Sequence, residues 1–156
     1  MKILLAYDGF EQSRHALEET AKLAEDGKGE ITVLSVVPPD ARGSKSGGHV
    51  GLRPHAHEDV ARAHAYLREL GIPSEMKMDD GDPAEQIVAE ATTGSYDVVV
   101  VGSRGHGALG RLFLGSVSTE VVAQAPCPVL VAGADMTERI EPAGGGISSS
   151  SAAPES

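Results

Sequence analysis

Residues 102–118 read Gly-Ser-Arg-Gly-His-Gly-Ala-Leu-Gly-Arg-Leu-Phe-Leu-Gly-Ser-Val-Ser. The segment holds no acidic residue and two cations, Arg104 and Arg111, in a chain of formal net charge −10. This local inversion of sign suits an anion. Glycines let backbone N–H groups approach a phosphate with no Cβ in the way. A helix predicted to start at Ser116 adds unpaired N–H groups and the positive end of its dipole. The dipole contributes about 0.3–1 kcal/mol at an exposed site and ~2 kcal/mol when partly buried. Micromolar binding needs roughly −8 kcal/mol. The remainder must come from charge-assisted hydrogen bonds of about 1.5–3 kcal/mol each. Backbone amides and hydroxyls such as those of Ser116 and Ser118 can donate them. The bland alternative is a glycine-rich surface turn with incidental serines.

Other motifs compete. Gly105-His106-Gly107-Ala108-Leu109-Gly110 matches G-x-G-x-x-G. A dinucleotide fold needs a helix opening within that motif and an acid about 20 residues on. Here the helix opens later, and residues 125–128 read Ala-Pro-Cys-Pro. Gly43-Ser44-Lys45-Ser46-Gly47-Gly48 resembles a P-loop but lacks the glycine before the lysine, and reads as a solvated loop. His49, His55, His57 and His64 suggest a metal site only weakly. Residues i and i+2 on a helix do not face each other, and solvated histidines are the expectation. His106 reads as an exposed loop residue within reach of a phosphate. Cys127, between two prolines, reads as a structural thiol, because spacing places no base beside it. Asp8 ends an apolar run, and reads either as a polar strand terminator or as a site residue.

Those groups need elements to hold them. Ile3 to Tyr7 is a short continuous apolar run, the sign of a strand buried on both faces. Ala16, Leu17, Ala21 and Ala24 predict a helix over 11–25, stopped by Gly27 and Gly29. A second buried strand is expected over 31–37, then a long irregular loop over 38–54. Val60, Ala63, Leu67 and Leu70 predict a helix over 55–70 with one apolar face, capped by Gly71. A shorter, weaker strand is expected over 74–78. Asp82-Pro83-Ala84-Glu85 starts a third helix, with Asp82 as cap and Pro83 at the first helical position. Ile87, Val88 and Ala91 carry its buried face. Val98 to Val101 is the strongest strand, and Gly102 ends it. A last helix over 116–124 and a last strand over 128–132 complete the order. Strands alternating with helices imply an α/β fold with a parallel sheet and helices on both faces.

The chain has 156 residues, enough for one domain, and is 40% hydrophobic. Aromatics are 3% and Trp is absent, so the core must be aliphatic and no stacking platform serves single-stranded nucleic acid. The acidic balance repels nucleic-acid phosphates and anionic lipid heads. A single cysteine excludes an intrachain disulfide and fits a reducing compartment. No apolar run approaches membrane-spanning length, and the apolar start is too short for a signal peptide core, so the cytoplasm is expected. The domain is expected over 1–134. Residues 135–156 are rich in Gly, Ser and Ala and are expected as a disordered tail.

Gly102-x-x-Gly105, nine residues, then Gly115-Ser116 resembles the ATP-binding signature of the universal stress protein family. The resemblance covers about residues 1–132. It includes the opening Ile-Leu-Leu-Ala-Tyr-Asp-Gly, Leu34-Ser35-Val36-Val37-Pro38, Gly81-Asp82-Pro83 and Ala125-Pro126-Cys127-Pro128-Val129-Leu130-Val131. It implies a single five-stranded parallel sheet of order 3-2-1-4-5, with a ligand crevice between strands 1 and 4. It places Ala6 and Asp8 at an adenosine and Val36 against the adenine. It places Gly102, Arg104 and Gly105 at the ribose and first phosphate, and Gly115, Ser116, Val117 and Ser118 at the outer phosphates. It favours the site reading of Asp8. The loop over 38–54 follows no family pattern.

The expected function is ATP binding, with Mg²⁺, in which the nucleotide acts as a conformational signal in a stress response. Hydrolysis is expected to be slow at most, because no general base is evident. One alternative is a nucleotide-activating enzyme of the same fold class, but Asp8-Gly9-Phe10 stands where a Ser-Gly-Gly pyrophosphate loop would be needed. Another is an interaction module with an empty crevice. A homodimer is expected through the last strand, Pro128 to Ala132, whose apolar sheet edge invites pairing, as the family often does.

Overall fold

Ile3, Leu4 and Leu5 are all fully buried, so the first strand is covered on both faces. The computed structural model describes residues 1–9, 11–37, 56–102 and 115–132. Strand β1 (Lys2–Ala6) leads to helix α1 (Glu11–Gly27) and strand β2 (Glu30–Val37). Helix α2 (Ala56–Glu69), strand β3 (Ser74–Asp80) and helix α3 (Pro83–Gly94) follow. Strand β4 (Val98–Gly102), helix α4 (Ser116–Gln124) and strand β5 (Val129–Ala132) complete the order. The sheet is parallel with order β3-β2-β1-β4-β5, as expected. The loop over 38–54, Arg104, Gly105, His106 and the tail over 135–156 lie outside the described residues.

Alternation along the buried strands divides the core in two. Ile3, Leu5, Ile31, Val33 and Val100 face Ala16, Leu17 and Ala21 of α1 and Val60, Ala63 and Leu67 of α2. Leu4, Leu34, Val99 and Val101 face Ala84, Ile87 and Ala91 of α3 and Val121 of α4. The chain changes face when it crosses from β3 at one edge to β4 beyond β1.

Local sequence explains most boundaries, with three differences. Asp82 caps α3 by accepting from the Glu85 N–H at 3.0 Å, and Pro83 follows it. Gly71 turns the chain out of α2 with φ +74°. The left-handed residue after α1, however, is Lys28 (φ 51°), not Gly27 or Gly29. Gly29 is needed for room instead. Its N–H reaches the Ala24 carbonyl at 2.7 Å, and a Cβ there would stand 3.0 Å from the Met1 carbonyl oxygen. Leu70 is exposed, because α2 ends at Glu69 and Ile72 turns back into the core with its N–H on the Leu67 carbonyl. Strand β3 runs two residues past Met78, because Asp79 and Asp80 pair with Val36 and Val37.

A polar network ties the amino ends of β1 and β4 to α3. The Lys2 ammonium donates to the Gly94 carbonyl at 2.7 Å and lies 4.7 Å from the centre of the Tyr96 ring. The Tyr96 hydroxyl donates to Glu90 Oε1 at 2.8 Å, and Lys77 donates to the same oxygen at 2.7 Å. Burial, then Glu90, pushes the Tyr96 phenol up to about 12. Burial alone would raise the Glu90 carboxyl, but the Lys77 and Tyr96 hydrogen bonds outweigh it and hold the group below 4.5. A lowered carboxylate adds stability that is complete above its unfolded value and lost as pH falls through the folded one. Glu90→Gln should therefore lower stability at neutral pH, and the deficit should shrink as pH falls below about 4.5. Urea unfolding of both chains at stepped pH checks this; a deficit that grows in acid contradicts it.

Candidate functional site

The central pair of strands parts before either strand is finished. Pairing of β1 with β4 ends at Leu5 opposite Val100. Beyond that level β1 stays with β2, through Ala6 opposite Leu34 and the Tyr7 N–H on the Leu34 carbonyl at 2.8 Å. Strand β4 stays with β5, through Val101 opposite Val131 and Gly102 opposite Ala132. The chain then leaves β1 for α1 on one face and β4 for α4 on the other. A crevice at this switch point is where open α/β sheets take ligands.

Ala6, Val36 and Val117 come from three elements, yet all are half-buried against the cluster of Leu4, Leu34, Val99 and Val101. They give the carboxyl end of the sheet a small aliphatic surface on the α3 and α4 side. Gly102 stands at the end of β4, and Gly115 is the cap of α4.

The first helical bond of α4 runs from the Thr119 N–H to the Gly115 carbonyl at 3.0 Å. Among the described residues, none accepts from the N–H groups of Ser116, Val117 and Ser118, and Gly115 provides no side-chain cap. No acidic residue stands in the first turn. Gly115 has φ −72° and ψ 171°, an extended conformation open to any residue. Its backbone angles therefore do not require glycine. The two serines differ. Ser116 is exposed, whereas Ser118 is buried and its hydroxyl donates to the Gly102 carbonyl at 2.8 Å. The Ser118 hydroxyl proton thus ties α4 to β4, leaving its backbone N–H for an incoming acceptor. Sequence reasoning had counted both hydroxyls alike.

On the opposite wall, Asp8 is exposed at the end of β1. Its Oδ1 accepts from the buried Ser13 hydroxyl at 2.7 Å, and its N–H donates to Ser13 Oγ at 3.3 Å. Sequence reasoning missed Ser13; the available signal was a hydroxyl in the first turn of the helix that follows Asp8-Gly9. Gly9 has φ +82°, and a Cβ there would lie 2.5 Å from Asp59 Oδ2. Glycine is thus required twice over, by conformation and by the approach of α2. Burial, then the nearby Asp59 charge, pushes the Tyr7 phenol above its ordinary value.

The remaining candidates fall elsewhere. His64 shares a hydrogen bond with Ser74 through Nδ1 at 3.0 Å, and His57 is exposed. Among the described residues, no three His, Cys, Asp or Glu side chains cluster as metal ligands. The Cys127 thiol is half-buried and raised by burial, then by Asp97, which fits a structural role. No described helix is long and apolar enough to cross a membrane.

Comparison with known proteins agrees with this architecture. The model of the universal stress protein family matches residues 1–133. A universal stress protein of Thermus aquaticus is 37% identical over 132 residues, which cover 83% of this chain and 96% of that protein. An Arabidopsis thaliana protein of the family, solved with AMP bound, shares the fold at TM-score 0.66 and 24% identity, covering 91% of this chain and 96% of the other. A universal stress protein of Archaeoglobus fulgidus, solved in complex with dAMP, shares it at TM-score 0.65 and 21% identity, covering 85% and 97%. The chain belongs to the universal stress protein family.

Proposed function

We propose that this crevice binds ATP and that the nucleotide serves as a regulatory ligand in a stress response, with slow hydrolysis at most. The observation that carries the reading is the set of N–H groups at Ser116, Val117 and Ser118, which face no described acceptor beside the split of β1 and β4. Three charge-assisted hydrogen bonds at about 1.5–3 kcal/mol each supply about 4.5–9 kcal/mol, most of the roughly −8 kcal/mol that micromolar binding needs, before the costs of association. The dipole of α4 adds to them. AMP and dAMP in two relatives of the same fold support an adenine nucleotide.

In this reading Ala6, Asp8 and Val36 take the adenosine. Gly102, Arg104 and Gly105 take the ribose and first phosphate. The amides of Gly115 to Ser118 take the outer phosphates. Mg²⁺ would be held mainly by phosphate oxygens and water, as its octahedral preference favours. The uncharged edge strand β5 would pair with a second copy of the chain, in the cytoplasm. An adenylating enzyme of the same fold class and an interaction module with an empty crevice are the competing readings. Mass spectrometry of nucleotide released from purified protein, with a phosphate-release assay, separates the three: ATP without turnover is expected.

Gly115→Ala should weaken ATP binding about tenfold or more, since tenfold corresponds to ~1.4 kcal/mol. The fold should persist, because φ and ψ at Gly115 suit alanine. Calorimetry and thermal unfolding check the two halves; unchanged affinity removes Gly115 from the phosphate cradle.

Ser118→Ala should cost about 1 kcal/mol of stability, because it removes the hydroxyl donor from the half-buried Gly102 carbonyl. It should weaken ATP and AMP by a similar factor, since the hydroxyl acts on the position of Gly102 and α4. A loss confined to ATP would instead put the hydroxyl on an outer phosphate. Titration of both nucleotides against the variant decides.

A further inference from the structure

We infer that Ser13 is a positioning residue of the nucleotide site, which holds the Asp8 carboxylate in the orientation that receives the adenosine end of the ligand. This rests on the reading of the crevice as an adenine-nucleotide site.

An aspartate at a strand end has two free torsions, and each must be frozen before its oxygens can recognise anything. Ser13 freezes them from both sides. Its hydroxyl donates to Oδ1 at 2.7 Å, in the range of a charge-assisted bond. Ser13 Oγ in turn accepts from the Asp8 N–H at 3.3 Å. The ring thus closed fixes the carboxylate relative to its own backbone. Ser13 is itself immobile, because it is 4% exposed and sits one turn before Ala16 and Leu17, which α1 buries against the sheet. A carboxylate held in this way is a pre-aligned acceptor. The adenosine end of a nucleotide offers it donors in its ribose hydroxyls and amino group.

Mere capping of α1 predicts something different. A cap contributes stability but has no reason to depend on the ligand or to act through Asp8. A double-mutant cycle tells the two apart.

Affinities for ATP and AMP should be measured by calorimetry on the wild-type chain, Ser13→Ala, Ser13→Cys, Asp8→Ala and the double variant Ser13→Ala/Asp8→Ala, each checked for folding by circular dichroism. Ser13→Ala should weaken both nucleotides about tenfold or more, the scale of one hydrogen bond to a charged group. The double variant should be no weaker than Asp8→Ala alone. Ser13→Cys keeps the volume with a weaker donor, and should fall between wild type and Ser13→Ala. It also serves if the alanine variant unfolds. Independent, multiplying losses overturn the inference, as does wild-type affinity in both Ser13 variants. A wild-type chain that binds neither nucleotide overturns the site reading as well.

Discussion

A parallel sheet must part where its strand order reverses, and this chain is organised around that parting. Each backbone N–H and C=O in the middle of β1 and β4 is satisfied by a neighbouring strand. Past Leu5 and Val100 that supply ends, because β1 continues with β2 and β4 with β5. The helices that follow then start on opposite faces. Helix α4 adds its own excess of donors, since Thr119 is the first residue whose N–H finds a carbonyl within the helix. The result is a concentration of donors without an acceptor among the described residues, in a chain whose net charge is −10. Elsewhere on such a surface an anion meets repulsion.

The two walls of the parting are held by the same device. A buried serine hydroxyl in the first turn of a helix reaches back to the end of the preceding strand. Ser13 of α1 binds Asp8, and Ser118 of α4 binds the Gly102 carbonyl. Each bond adds only about 1 kcal/mol of net stability, or somewhat more where a charge is involved. Their importance is geometric. Each links one point of a helix start to one point at the adjoining strand end. Apolar packing alone fixes this less tightly, because aliphatic contacts between Val117, Ala6 and the Leu4 cluster are non-directional.

Much of the fold is legible in the sequence, because periodicity and turn chemistry agree along it. The runs at Ile3 to Leu5 and Val99 to Val101 can bury both faces only in the middle of a parallel sheet. Asp82-Pro83 announces α3 before any packing is considered. The misreadings share one cause: a tertiary contact overrode a local rule. Lys28 takes the left-handed position that Gly27 and Gly29 advertised, because Gly29 is held against Met1. Strand β3 carries too many charges to look long, yet its ladder with β2 extends it to Asp80. At the site, the glycine spacing marked α4 and the end of β4, but not the work of the hydroxyls. Ser13 and Ser118 are ordinary helix-start serines in sequence. Only the approach of each helix to its strand end shows which serine is exposed and which is already committed.

Stability and binding occupy opposite ends of the same strands. At the amino ends, polar groups are paired several times over. Asp97 accepts from the Lys2 N–H at 2.7 Å while its own N–H reaches the Lys2 carbonyl, and the Lys2 ammonium continues to Gly94. Tyr96, Glu90 and Lys77 extend that network to α3 and β3. At the carboxyl ends, the amides that begin α4 have no described partner. Unsatisfied donors are destabilising when dry, so such a site is tolerable only where solvent or a ligand reaches it. The exposure of Ser116 meets that condition. A ligand that accepted from these amides would add a contact between α4 and the end of β4 that solvent does not supply. That differential contact is the physical requirement for a bound nucleotide to act as a signal.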